Sequence, residues 1–184
     1  MIQTLKLYTQ LLQKPQQAWL QLLTQKQQNQ LSFTHVYWIM LLIMPFSILG
    51  KLIDIAQFNW SILLNDALLT FIALFSSLHI TASLLKLYGE KAEHATLSYS
   101  EAMFYTAHAS AAIYAAVWLV EITQMPILWG AALYTVKIVL ESVQTGYLQI
   151  DEQRKYSVIW IISLLLIGTP YVVTTLLEMM IKME

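Results

Sequence analysis

Lys137 and Glu141 lie four residues apart within an apolar stretch, and that spacing sets opposite charges side by side on one helix face. In water such a pair is ordinary. At the centre of a bilayer each charge costs about 2.5–3.5 kcal/mol on insertion scales, so such groups face the bundle interior and tend to mark proton, ion or polar-ligand paths. His108 falls in the preceding apolar stretch. Counting inward along helices puts His108 and Glu141 at a similar depth, roughly 12–15 Å, with Lys137 slightly deeper. The expected chemistry is a buried cluster of His108, Lys137 and Glu141 that holds a proton or polar ligand. The competing reading is a structural ion pair beside a hydrogen-bonded histidine that keeps two helices in register, and it asks less of the residues. A second group, Lys51, Asp54, Asp66 and Glu121, gathers near the opposite ends of the apolar stretches. Interfacial snorkelling accounts for Lys51 and Asp54. Asp66, about two turns inside, is expected to pair with Lys51, as a structural contact or as part of a transport path. His79, on a face with Ser76 and Ser83, reads as a hydrogen-bonding helix contact and not as a metal site.

No catalytic constellation accompanies these groups. The chain has no Gly-x-Ser-x-Gly elbow, Walker loop, His-Glu-x-x-His pair or dinucleotide-binding glycine pattern. Its four histidines are scattered, and Glu90, Glu93 and His94 offer weak chelation at most. With no cysteine, disulfides, thiolate metal sites and thiol nucleophiles are excluded. A net charge of -1 without a basic cluster leaves no electrostatic footprint for nucleic acid. The expectation is a non-enzyme without cofactor or metal.

The elements that must position these residues are set by composition. Of 184 residues, 58% are hydrophobic and 11% charged, against about 25% charged in a soluble domain. Tyr156 to Leu177 runs 22 residues without a charge, enough to cross about 30 Å of hydrocarbon. Five such stretches predict an all-α, polytopic membrane helix bundle with spans at about 36–55, 61–85, 102–121, 126–150 and 156–178. Pro45 and the Gly168-Thr169-Pro170 run predict kinks in the first and last. Ala107, Ala111, Ala112, Ala115 and Ala116 give the third span a small-residue surface that allows close backbone approach, and its short link to the fourth makes those two neighbours. The Lys137–Glu141 face, with Gly130, Tyr134 and Gln144, is then expected to be buried.

Residues 1–34 differ in kind. Up to Ser32 they hold ten glutamines, three lysines and no acid. Apolar residues recur at helical spacing through Leu5, Tyr8 and Leu12, and Pro15 can open a second helix with Ala18, Trp19, Leu22 and Leu23 on one side. This predicts an amphipathic arm lying on the membrane surface. Lys and Arg collect on cytoplasmic sides of membranes. Seven such residues (Lys6, Lys14, Lys26, Lys86, Lys91, Arg154, Lys155) fall on the side of the N-terminus and two (Lys51, Lys182) on the other, which predicts N-terminus in and C-terminus out.

Pro15 with Ala18-Trp19, His35-Val36 leading to Pro45 and Gly50, Tyr88-Gly89 opening an inner loop, Ser100-Glu101-Ala102 before the third span, and Gly146-Tyr147 closing the fourth occur in an order that resembles the Yip family of small Rab (Ypt) GTPase-interacting membrane proteins, in particular its short bacterial members. The resemblance covers about 150 residues. It departs from the family pattern in having alanine near Ala112 where a proline is common, and in lacking the acidic Asp-Leu-x-Gly-Pro motif of the eukaryotic members. It implies a scaffold or accessory protein of the bacterial inner membrane that contacts protein partners through the arm and inner loops, with self-association compatible with it. The alternative is a small transporter or proton-linked channel subunit with Asp66, His108, Lys137 and Glu141 along a polar path.

Overall fold

Among the described residues each apolar stretch is helical over most of its length, and the ends of the helices follow local chemistry. The computed structural model describes residues 2–28, 32–52, 60–92, 97–148 and 150–182, and among them there is no strand. Eight α-helices run in order: α1 (Ile2–Gln13), α2 (Pro15–Gln27), α3 (His35–Leu52), α4 (Trp60–Ala92), α5 (Tyr99–Ala109), α6 (Ala111–Thr123), α7 (Thr135–Gln144) and α8 (Lys155–Lys182), with a 3-10 helix, Pro126–Tyr134, before α7. Pro15 opens α2 at a position where its missing N–H has no helical partner to lose. Ser98 and Glu101 form a reciprocal capping box at the start of α5. Gln124, in the left-handed region at φ 56°, reverses the chain after α6. Gly146 ends α7 at φ 75°, a conformation that costs glycine little. Its N–H bonds to the Val143 carbonyl at 3.1 Å, and that of Tyr147 to Ser142 at 3.0 Å.

Among the described residues three helices are long and apolar enough to cross a membrane: Leu63–Glu90 within α4, the continuous Pro126–Gln144 segment, and Lys155–Leu177 within α8. The α5–α6 pair makes a fourth if its two halves, bent by 46°, count as one span, and His35–Lys51 is a shorter apolar helix. Large apolar side chains point outward along these elements, among them Leu64, Leu68 and Phe75 on α4, Ile127 and Leu133 on the 3-10 helix, and Trp160, Leu164 and Tyr171 on α8. A lipid solvent accepts such a surface.

The small-residue segment is the hub. Every residue from 102 to 114 is buried, and α5–α6 contacts α1, α3, α4, the 3-10 helix and α7. The alanines keep neighbouring backbones close. The bend falls at Ser110, between α5 and α6, and no proline is needed for it. There the Tyr8 hydroxyl donates to the Ala107 carbonyl at 2.9 Å, supplying from another helix a donor that the interrupted ladder lacks.

Several expected boundaries shift. α4 runs on through Gly89 to Ala92 instead of yielding at Tyr88-Gly89, supported on its exposed face by a Lys86–Glu90 ion pair at 3.6 Å. The fourth segment is not α-helical throughout, and it stops at Gln144 because Gly146 turns the chain. Helices α3 and α8 continue through Pro45 and Pro170, and the Thr169 hydroxyl donates to the Leu165 carbonyl at 2.6 Å. Asp54, Glu93 and His94 lie outside the described residues.

The N-terminal arm also differs from its expected placement. Its apolar side covers protein. Leu11, Trp19 and Leu22 are fully enclosed, and Leu7, Tyr8, Pro15 and Ala18 are buried with them, because α2 packs on α7 and α1 on α6. The arm is thus part of the core and not a separate surface layer.

Candidate functional site

The expected His108–Lys137–Glu141 cluster does not assemble. His108 is buried in α5, where its Nδ1–H donates to the Phe104 carbonyl at 2.7 Å. That assignment leaves Nε2 to accept from His35 Nε2 at 3.3 Å, with the Tyr8 ring 5.9 Å away. Lys137 is exposed, and its ammonium stands 5.4 Å from the centre of the Tyr134 ring, a favourable cation–π distance. Glu141 is half-buried, and among the described residues no ion pair joins it to Lys137 or to His108. The buried face of α7 carries Thr135, Ile138, Val139, Ser142 and Val143 instead. At about 100° per residue Lys137 and Glu141 project from the side of α7 opposite that buried face, and Tyr134 stays beside Lys137 there.

His79 does join helices. Its Nδ1 lies 2.7 Å from the Tyr99 hydroxyl of α5 and its Nε2 3.3 Å from the Tyr37 hydroxyl of α3, while Ser83 donates to the His79 carbonyl. Among the described residues no group of three potential metal ligands comes together.

At the end of the bundle where the arm docks, aromatic rings and one ion pair interlock. The Trp19 indole donates to the Ile138 carbonyl at 2.8 Å and stacks on Tyr105 with centroids 5.2 Å apart, and Tyr147 closes the triangle at 4.8 Å from Trp19 and 5.8 Å from Tyr105. Tyr105 and Ser142 exchange a hydrogen bond at 3.0 Å. Lys26 lies 4.9 Å from the Tyr147 ring centre and 3.7 Å from Glu101. Glu101 sits in the first turn of α5, ahead of the apolar run that begins at Ala102. Burial pushes its carboxyl up, but the Ser98 amide and hydroxyl and the Lys26 ammonium outweigh it and hold the group below its ordinary value.

At the opposite end, charged and apolar side chains from five elements line a partly open cavity of about 450 Å³. Lys51 of α3 reaches Asp66 of α4 at 2.5 Å, the pairing expected from their positions. One turn further along α4, Thr70 donates to the Glu121 carboxylate of α6 at 3.2 Å. Trp129 of the 3-10 helix and Pro170, Thr174 and Leu177 of α8 complete the wall, with Leu69, Leu74, Val117 and Val120 as its apolar part. Gly50 permits this arrangement, because a Cβ there would run into the Glu121 carbonyl. Of the wall residues, Lys51, Asp66 and Glu121 are legible as charges in apolar stretches. Thr70 has a weaker signal, the position four after Asp66 on the same helical face. His35, Tyr8, Trp129 and Thr174 carry no sequence signal of their contacts, since those depend on which helices become neighbours.

The chain matches no family model, and no characterised protein and no solved structure is significantly similar to it.

Proposed function

We propose that this chain is a non-catalytic integral membrane scaffold or accessory protein of the Yip type, with five crossings, its N-terminus in the cytoplasm and its C-terminus outside. The crossings would be α3, α4, the bent α5–α6 pair from Ala102 onward, the Pro126–Gln144 segment and α8. The observation that carries the reading is the fixed arm. Trp19 anchors α2 through an indole hydrogen bond and two aromatic contacts, so the opposite face, with Gln16, Gln17, Leu20, Gln21 and Thr24 directed away from the core, is presented by a rigid support. Preorganised surfaces lose less conformational entropy on binding, and an amide-rich helix face suits hydrogen bonding to a protein partner.

Affinity purification from native membranes tests this. Gln17→Glu combined with Leu20→Glu and Gln21→Glu alters the outward face and leaves the buried face intact. A stable co-purifying partner that is lost from this variant supports the scaffold, and a partner set indifferent to the substitutions counts against it.

The alternative, a small transporter or proton-linked channel subunit, draws on the cavity. The other groups of its polar path stand apart: His108 is enclosed beneath Tyr8 and Lys137 is outside the bundle. Reconstituted vesicles should then show a solute or proton flux abolished by Glu121→Gln.

A further inference from the structure

We propose that the cavity between Lys51, Asp66, Thr70, Glu121 and Trp129 binds an organic monocation, a protonated amine carried on a small apolar body. The inference goes beyond the scaffold reading and does not rest on it. Its first support is charge. Lys51 and Asp66 neutralise each other at 2.5 Å, whereas the Glu121 carboxylate receives only the neutral Thr70 hydroxyl, and among the described residues no cation lies within ion-pair distance of it. The described lining therefore carries one uncompensated negative charge beside an apolar wall. A monocation restores balance.

The second support is shape and lining. A volume of about 450 Å³ falls in the range of roughly 300–1,000 Å³ typical of small-molecule sites, which are mostly apolar with a few placed polar groups. The wall matches that description, with leucine, valine and proline side chains surrounding the carboxylates. An inorganic cation would ask for several oxygen ligands, which this largely apolar wall is poorly suited to supply. An ammonium needs fewer, its apolar body buries surface against the wall, and the Trp129 ring adds the best aromatic face for a cation. The ammonium is available from a free amine or from an ethanolamine lipid headgroup.

Hexylamine, hexanol and hexanoate titrated by calorimetry into the full chain in uncharged maltoside micelles test the proposal. Saturable binding of hexylamine alone is expected, weakened at least about tenfold in Glu121→Gln by loss of the charge partner. Adding phosphatidylethanolamine distinguishes the sources. Competition with hexylamine assigns the site to a lipid headgroup, and saturable binding without competition assigns it to a soluble amine; both results support the site. No saturable hexylamine binding, or equal binding of hexanol, overturns the proposal. Both of these outcomes are measured on the unaltered chain, so they decide the matter even if the variant fails to fold. Equal hexylamine affinity in a folded Glu121→Gln protein also overturns it.

Discussion

Trp19→Phe keeps a ring among Tyr105 and Tyr147 but removes the indole N–H that donates to Ile138. Loss of one such bond costs about 1 kcal/mol, and the smaller ring adds a packing defect, so the arm should be released more readily. Limited tryptic proteolysis after Lys6 and Lys26, in detergent, should speed up in the variant while cleavage elsewhere stays slow. Glu101 makes a second residue-scale prediction. Its carboxyl is held below its ordinary value, by Ser98 and Lys26 acting against burial. A depressed folded pKa means that the contribution is fully present above the unfolded glutamate value, near 4.3, and is lost as pH falls through the folded one. Thermal unfolding midpoints should therefore drop more steeply on acidification through that window in the unaltered protein than in Glu101→Gln, which is less stable at neutral pH but flatter. Removing the cap itself, Ser98→Ala, should lower stability by about 1 kcal/mol.

At the scale of elements, the glycines separate packing from propensity. A methyl at Gly50 would meet the Glu121 carbonyl, whereas nothing lies within 4 Å of a Cβ added at Gly168. Gly50→Ala should destabilise by about 1–3 kcal/mol through overpacking and force α3 away from α6. Gly168→Ala, within α8, should be neutral or stabilising by up to about 1 kcal/mol. Detergent unfolding of both variants checks the contrast, and equal effects would mean that the close α3–α6 approach does not shape the cavity. The 3-10 helix has a consequence of its own. At about 2.0 Å rise per residue, its nine residues span roughly 18 Å, and the ten residues of α7 add roughly 15 Å. Nineteen residues thus cover about the thickness of a hydrocarbon core, with Lys137 and Glu141 off the buried face.

For the whole molecule, the absence of cysteine makes single-cysteine accessibility a clean topological test. Under the proposed topology, Gln28→Cys should react with an impermeant maleimide only after the membrane is opened, and Gln124→Cys should react from outside in intact cells. The reverse pattern would invert the orientation and move the amine cavity to the cytoplasmic side. Matching labels on both would break the crossing pattern between the arm and α6.

Some of this was determined by the sequence alone. Helices in apolar surroundings follow from the length of the uncharged stretches and from their need to satisfy backbone groups internally. The small-residue character of residues 107–116 marked a close-packed element, and opposite charges at similar depth marked Lys51 and Asp66 as partners. Those features depend on period, length and side-chain size, which are local properties. What the tertiary structure decided is where neighbouring helices supply missing partners: the Tyr8 hydroxyl at the Ser110 break, His35 against His108, the arm's apolar side on protein, and Trp129 and Thr174 in the cavity wall with Glu121. The choice between a 3-10 and an α-helix after Pro126 belongs here as well. It sets the direction of each side chain from Pro126 to Tyr134, among them Trp129 of the cavity wall.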